Sequence, residues 1–591
     1  MVKGFYGKLL RIDLTNRLYQ AESIPEEVLA QYLGGKGLGS YLLWQENVAK
    51  ADPLGPGNKL IFALGPATGS GFFGVGRFGV FARSPLTGGF GESYCGGKAA
   101  EAMKAAGYDA VIVEGCADRP VYLEISDRGV AFREAAHLWG LDTIKTEETI
   151  LKEVNRPGAQ AVVIGPAGEQ QVAFACLESS FWRSAGRGGM GAVLGSKKVK
   201  GIVFYGTARS PVADEAGLQE LLTGLARSAQ GQPGVKFYRT YGTPGMVALL
   251  NKAGAFPSRY WSAGELPEWE QISGERLLEH YHVQPRACCR CLLACGKLVT
   301  VKTGLRRGLQ LEGPEYETIY AFGGLCCITD MDEIIYLNHL CDRLGMDTIT
   351  AGNLVALAME ATARGKGNLD IAYGDAAATA RLLEQTARRE GAGAVLADGI
   401  IPAAERLGMT EEAVHVKGME PAGYDPRILK GVGLGYATSA RGACHLRATF
   451  YKPELSGVIN PDTVEGKPEL YIEYENRLTV FNTLILCVFF RDLVQWEQLQ
   501  ELLRVLTGYS YEVGDLRQTA NRIITLNRMF NLRCGFDRRH DTLPDKIFKQ
   551  PLAGRGISRD ELAGMVQRYY QLRGWDDKGI PGELSSAVYQ T

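Results

Sequence analysis

The chain is short of histidine, with 7 in 591 residues, and carries no excess charge of either sign, Lys and Arg numbering 65 against 66 Asp and Glu. With no net basic field to attract a nucleic-acid backbone or an anionic membrane, neither is expected as a partner. No run approaches the ~20 apolar residues of a membrane span. The opening MVKGFYGKLLRIDLT alternates apolar and polar residues as a strand does and lacks the apolar stretch of a signal peptide. A cytoplasmic address is the expectation. Low-complexity tracts and short-period repeats are also missing. Cysteine is the exception to this scarcity, at 13. The odd count, and the crowding of Cys288, Cys289, Cys291 and Cys295, argue against a disulfide framework and for metal ligation in a reducing compartment.

What is present describes a large globular protein. Hydrophobic residues make up 46% and charged residues 22%, and the length exceeds what one core supports, so two or three domains are expected. The 74 glycines are dense in the first third, in runs such as LGGKGLGS, GPATGSGFFGVGRFG, SPLTGGFGESYCGG and AGRGGMGAVLGSK. Such loops suit a large ligand gripped by main-chain groups. Between them lie β-rich runs: KLIFAL, AVIVEG, VYLEI, AVVIG and GIVFYG. From about Val212 the periodicity turns helical, as in EAGLQELLTGLARSAQ, MDEIIYLNHLCDRLG and AGNLVALAMEATARG. The pattern predicts an α+β multidomain protein: a β-rich domain over 1–208, a mostly helical domain over 209–417 containing the cysteine motif, and a mostly helical domain over 418–591.

Cys288-x2-Cys291-x3-Cys295 supplies three clustered thiols. An iron–sulfur cluster takes three such ligands with a distant fourth; a zinc site and buried packing are the other readings of the spacing. Gly74-Val-Gly76-Arg77-Phe-Gly79 matches a dinucleotide fingerprint in form only, because FGVFARS continues as a strand where a helix is required. CGGKAAEAM lacks the upstream Gly and the Ser or Thr of a P-loop. Asp342-Arg-Leu-Gly345-Met-Asp347-Thr348 reads as the end of one helix and the start of the next, with Gly345 a C-terminal cap and Asp347 an N-cap. The carboxylates of Leu311-Glu312-Gly-Pro-Glu315-Tyr316-Glu317 and the His of Arg441-Gly-Ala-Cys444-His445-Leu446-Arg447 are weak signals singly. A faint echo links 341–347 (CDRLGMD) and 481–487 (FNTLILC).

In order and spacing, GFYGKLLRIDLT, GRFGVFARSPLTGGFGESYCGG, AGRGGMGAVLGSK, the cysteine motif, EGPEYET, DRLGMDT, YDPR, GYATSARGACHL and NRMFNLRCGFDRRHDTLP resemble the tungsten-dependent aldehyde:ferredoxin oxidoreductase family along nearly the whole chain. The resemblance implies a β-rich first domain cradling two pyranopterins that chelate one tungsten (or molybdenum) through dithiolenes, magnesium bridging the pterin phosphates, and two helical domains closing over them. It implies a 4Fe-4S cluster on Cys288, Cys291, Cys295 and Cys487. Arg77 corresponds to the arginine between pterin and cluster, and Arg187 to a second pterin contact. Tyr94 stands where the family has Asn, with Gly96 retained. Asp342, Gly345, Asp347 and Thr348 fall in the first of two D-x-x-G-L-(D or C) segments. Asn482, Leu486 and Cys487 fall in the second, where Asn482 replaces Asp and Ile485 replaces Gly.

For chemistry, the family's acidic and imidazole groups beside the metal fall on Glu312 and His445, as general acid or base and hydrogen-bond donor. The activity implied is oxidation of an aldehyde and water to the carboxylic acid, with electrons passed through the cluster to ferredoxin or a ferredoxin-like subunit, in a homodimer or a hetero-oligomer. An alternative within the same superfamily is the tungsten subunit of an aryl-CoA dearomatising reductase, with Cys326 or Cys327 as a tungsten ligand. A non-catalytic, degenerate subunit is the second alternative.

Overall fold

The computed structural model describes residues 3–367 and 369–582, so 583–591 of the predicted third domain lie outside the described residues. The β-rich expectation is met by two six-stranded sheets formed before residue 205. The first runs, in spatial order, Leu18–Ser23, Lys8–Asp13, Ala110–Glu114, Leu60–Ala63, Phe78–Arg83, Phe90–Cys95; the second runs Arg183–Ala185, Leu177–Ser179, Gln160–Val163, Val199–Phe204, Val121–Ser126, Gly129–Glu134. Each has one parallel pairing, Lys8–Asp13 with Ala110–Glu114 and Val199–Phe204 with Val121–Ser126, among antiparallel ones. LIFA and VKGIVF are buried at every position, which is why they read as unbroken apolar runs. One shared core joins the sheets: Leu10, Phe62 and Val80 of the first pack in the same cluster as Leu123, Val162 and Ile202 of the second.

Each sheet offers the helices an equivalent foothold. Leu60–Ala63 runs into Leu-Gly-Pro-Ala (64–67), and Gln160–Val163 into Ile-Gly-Pro-Ala (164–167). A Cβ on Gly65 would stand 2.5 Å from the Leu484 carbonyl oxygen, and one on Gly165 2.4 Å from that of Leu344. Glycine is therefore required at both, because the ends of helices Lys467–Thr483 and Met331–Leu344 are pressed onto the loops. As the sequence predicts, Gly345 closes the second of these helices in the left-handed region (φ 75°), and Asp347 caps helix Thr348–Ala363 by accepting from Ile349 N.

Beyond residue 205 the chain is mainly helical. A small sheet of His282–Arg286, Gly296–Thr300 and Gln310–Glu312 carries the clustered cysteines between its first two strands and Glu312 at the end of its third. The largest hydrophobic cluster contains Leu354, Leu383, Leu434, Tyr471 and Met565, so residues on both sides of 417 share one core. No helix among the described residues is long and apolar enough to cross a membrane.

Candidate active site

Cys288, Cys291, Cys295 and Cys487 line one cavity of about 380 Å³, together with Arg77, Tyr94, Gly96, Arg183 and Glu312. The fourth thiol arrives from far along the chain because Cys487 N donates to Gly74 O at 2.9 Å. Cys289 does not line the cavity; burial, then a contact with Glu101, pushes its thiol up to about 11. Gly97 N donates to Cys288 Sγ at 3.3 Å, and a Cβ on Gly96 would sit 3.0 Å from that sulfur. Burial pushes Cys291 up to about 11 and Cys295 and Cys487 upward as well; Arg77 opposes the shift at Cys487, and Arg183 opposes it at Cys295. Two arginines thus face a cage that becomes anionic when its thiols ionise. Among the described residues no three His, Cys, Asp or Glu groups are arranged to hold a single metal ion. A four-sulfur wall around a cavity fits a cube of iron and sulfide better than one zinc ion with four sulfurs at ~2.3 Å.

A second cavity, of about 360 Å³, shares Trp182, Ser184, Glu312, Glu315, Leu446 and Phe489 with the first, so the two adjoin. Arg187, Glu317, Asp342, Asp347, Thr348 and His445 line it, with an aromatic wall that includes Tyr238, Tyr424 and Tyr451. His445 Nε2 stands 3.5 Å from Glu317 Oε1. Glu317 sits in the short helix Tyr316–Thr318, which passes into a π-helical run over Ile319–Leu325, a geometry frequent at functional sites. Its Oε2 accepts from Gly423 N at 2.9 Å, while Oε1 and His445 Nδ1 have no hydrogen-bond partner. Burial pushes Glu317 up to about 8. Burial, then Arg441, Arg187, Arg447 and Arg491, drive His445 well below its ordinary value. Near neutrality both groups are therefore uncharged.

The structure thus sets Glu317, and not Glu312, against His445. Glu312 lies where the cavities meet, ion-paired with Arg183 and, at 3.4 Å, with Arg286. Three carboxylates crowd EGPEYET, and spacing alone could not tell which of them faces the imidazole. Sequence reading also missed Arg183, Trp182 and the aromatic wall; they come from separate elements that only the fold assembles.

The remaining expected residues divide. Arg77 Nη1 donates to Leu486 O at 3.2 Å and its guanidinium lies 5.0 Å from the Tyr94 ring centre, so Arg77, Tyr94 and Leu486 meet beside the thiol cage. Arg187 is held by Asp347 (3.0 Å), the Glu420 carbonyl (2.9 Å) and the Ala443 carbonyl (3.3 Å). Asp342 accepts from Asn338 Nδ2 at 2.8 Å, and burial pushes it up to about 8. Thr348 Oγ1 pairs with Thr318 Oγ1 at 2.9 Å. Gly345 and Asn482 line neither cavity; Cys176 N donates to Gly345 O at 2.8 Å, and Ile485 N to Asn482 O at 3.4 Å. Cys326 and Cys327 also line neither; the Cys326 thiol is directed at the Gly352 carbonyl and that of Cys327 at Gly324 O.

The walls fit large polar occupants. Trp182 Nε1, Glu317 Oε1 and His445 Nδ1 are buried without partners, and such atoms in a native protein call for a ligand or water. Asp342, protonated near neutrality, can donate as well as accept. The donor set of the first cavity suits an iron–sulfur cluster, and the polar groups of the second suit pterins.

A sulfur cage opening onto a buried acid and imidazole is the layout of an oxidoreductase that moves electrons and protons in one place. The chain belongs to the aldehyde ferredoxin oxidoreductase family: the family's N-terminal domain matches residues 9–206 and its domains 2 and 3 match residues 220–585. It is 36% identical to the tungsten-containing aldehyde ferredoxin oxidoreductase of Pyrococcus furiosus, with 98% of each chain covered, and 36% identical to that of Thermococcus kodakarensis, with 99% of each covered. The WOR-like subunit of the aliphatic sulfonate oxidoreductase of P. furiosus is 30% identical, over 98% of this chain and 96% of that one. In fold the chain is similar to a chain of the active site complex BamBC of benzoyl coenzyme A reductase in complex with 1,5 dienoyl-CoA, with TM-score 0.86 and 23% identity over 99% of this chain and 97% of that one.

Proposed function

We propose that the chain oxidises an aldehyde and water to the carboxylic acid, releasing two protons and two electrons (RCHO + H2O → RCOOH + 2H⁺ + 2e⁻), and passes the electrons singly to ferredoxin or a ferredoxin-like subunit. The observation that carries this reading is the Glu317–His445 pair in a cavity adjoining the four-thiol cage. A bis-pyranopterin tungsten (or molybdenum) centre would accept the electron pair, and a 4Fe-4S cluster on Cys288, Cys291, Cys295 and Cys487 would release it one electron at a time. Arg77, Arg187, Asp342, Asp347 and Thr348 would hold the pterins, and magnesium would offset the charge of their phosphates. His445, kept neutral, donates from its free Nδ1 to the aldehyde oxygen without competing for a full charge. Glu317, with its proton lost only near pH 8, takes a proton from the attacking water at Oε1. The apolar and aromatic walls exclude bulk water, which strengthens both contacts.

The aryl-CoA alternative drew on a thiolate at Cys326 or Cys327, and with both away from the cavities the aldehyde reading has the stronger support. The test is metal and pterin analysis of anaerobically purified protein, followed by assays with an aldehyde panel and with benzoyl-CoA. Stoichiometric tungsten or molybdenum with aldehyde turnover is the expected result; benzoyl-CoA turnover without aldehyde activity overturns it, and protein that never binds metal or pterin is the degenerate subunit.

A further inference from the structure

The thiol cage lies beneath a surface with a charge of its own. Arg290, between Cys289 and Cys291, is exposed and held at φ 49°. Its Nη1 lies 2.9 Å from where a Cβ on Gly71 would stand, which sets 71–73 against the cysteine loop. On another side, Cys289 N donates to Gly97 O at 3.1 Å, bringing exposed Lys98 to the rim. Arg239 of helix Pro233–Tyr241 donates to Leu292 O at 2.6 Å, and Lys236, one turn earlier on the same helix, is also exposed.

These four exposed cations, Lys98, Lys236, Arg239 and Arg290, make no ion pair among the described residues. The carboxylates nearby do not offset them: Glu101 is half-buried and turned to the Cys289 thiol, and Asp492 is paired with Lys452. Beside these cations, Phe73, Val235 and Leu292 are half-buried and pack on the same cluster as Cys487. A chain with 65 basic and 66 acidic groups has no general reason to be cationic there. An apolar centre with a one-signed rim is the anatomy of a small protein interface, and the rim steers and orients an oppositely charged partner.

We propose that this surface docks a small acidic one-electron carrier protein, whose carboxylates meet Lys98, Lys236, Arg239 and Arg290 and whose redox centre is brought over the 288–292 loop. The inference rests on the reading of the four thiols as the electron exit. Electron transfer falls steeply with distance, so the carrier must approach where the cage is nearest to solvent, and Cys288 and Cys291 are half-exposed. Each oxidised carrier leaves with one electron, and two dock in succession for each aldehyde oxidised.

The test uses holoenzyme carrying Lys98→Glu and Lys236→Glu, neither of which lines the thiol cage or the cavity beside it. An acidic clostridial-type ferredoxin and benzyl viologen serve as alternative acceptors. The KM for ferredoxin is expected to rise about tenfold or more, with a flatter salt dependence, while kcat with saturating benzyl viologen stays within twofold of wild type. An unchanged ferredoxin KM overturns the docking site. Carbodiimide coupling of ferredoxin to the wild-type protein, mapped by mass spectrometry, reads docking without turnover: cross-links at Lys98 or Lys236 support the site, and cross-links confined to other lysines overturn it. Absence of aldehyde oxidation with benzyl viologen would count against the proposed function alone, because the cross-linking result stands independently.

Discussion

Met346 N donates to Cys341 O at 3.0 Å and Leu486 N to Phe481 O at 2.8 Å, so 341–347 and 481–487 close their helices with the same hydrogen bond. Each then anchors its last residue to the first domain, Asp347 N to Phe174 O at 3.1 Å and Cys487 N to Gly74 O at 2.9 Å. The side chains differ: Asp347 lines the polar cavity and Cys487 the thiol cage. The two segments differ also in how they reach the left-handed turn, through Gly345 at φ 75° and through Ile485 at φ 60°. The backbone of the pattern therefore survives the loss of its glycine. A β-branched residue there is strained by about 1–2 kcal/mol, offset by the complete burial of Ile485. Equivalent backbones can thus deliver a carboxylate to one cavity and a thiol to the other.

The sharpest break of this comparison is Cys487→Ala, which should abolish the cluster's electron paramagnetic resonance signal on reduction, whereas Asp347→Ala should retain it. A signal that survives Cys487→Ala would remove this sulfur from the ligand set. Next, Glu317→Gln should lower kcat/KM for aldehyde by about 10²–10⁴ with the cluster signal intact, and Glu312→Gln by far less; the reverse order would return the proton-transfer role to Glu312. In the wild type kcat/KM should rise with pH as Glu317 loses its proton near pH 8, and the Gln variant should lack that limb. A falling profile would exclude Glu317 as the base.

The same shift has a consequence for stability. Burial raises Glu317 from 4.5 to about 8, so its contribution to the cofactor-free fold is complete below 4.5 and is lost as pH climbs through 8. Thermal unfolding should show the wild type losing ground to Glu317→Gln over that window, and parallel curves would refute the shift. Asp347→Ala leaves the buried Arg187 guanidinium without its 3.0 Å partner and removes a helix cap. A loss of about 3 kcal/mol in denaturant unfolding is expected, at the low end for a broken buried pair, because Glu420 remains 3.7 Å away. Smallest is Ile485→Gly: relief of backbone strain offsets some of the lost burial, leaving a net loss of about 1–3 kcal/mol. A net gain would mean that the strain outweighs the packing.

Much of this molecule was legible in its sequence. The runs KLIFAL, AVIVEG and GIVFYG became strands Leu60–Ala63, Ala110–Glu114 and Val199–Phe204 because their continuous apolar character requires burial on both faces. MDEIIYLNHLCDRLG became helix Met331–Leu344 with its glycine cap in place. Three of the four sulfurs were visible as a local spacing. Cys288 was also distinguishable from Cys289 by that spacing, and Cys288, not Cys289, lines the cavity. These are short-range properties, set by periodicity, capping and adjacency.

What the sequence could not decide was which distant groups meet. The carboxylate of EGPEYET that faces His445 is chosen by the turn of the chain into helix Tyr316–Thr318 and by the Gly423 amide that holds Glu317. That Cys326 and Cys327 line neither cavity is set by packing that turns their thiols to the Gly352 and Gly324 carbonyls, and the cationic rim beside the cage by Lys98 and helix Pro233–Tyr241 meeting the loop that carries Arg290. Composition and local pattern determined the strands, the helices, their caps and the cluster motif, because those depend on neighbours a few residues apart. Only the tertiary structure paired Glu317 with His445 and carried Cys487 to Cys288, because burial and contact across hundreds of residues are properties of the packed fold and of no segment alone.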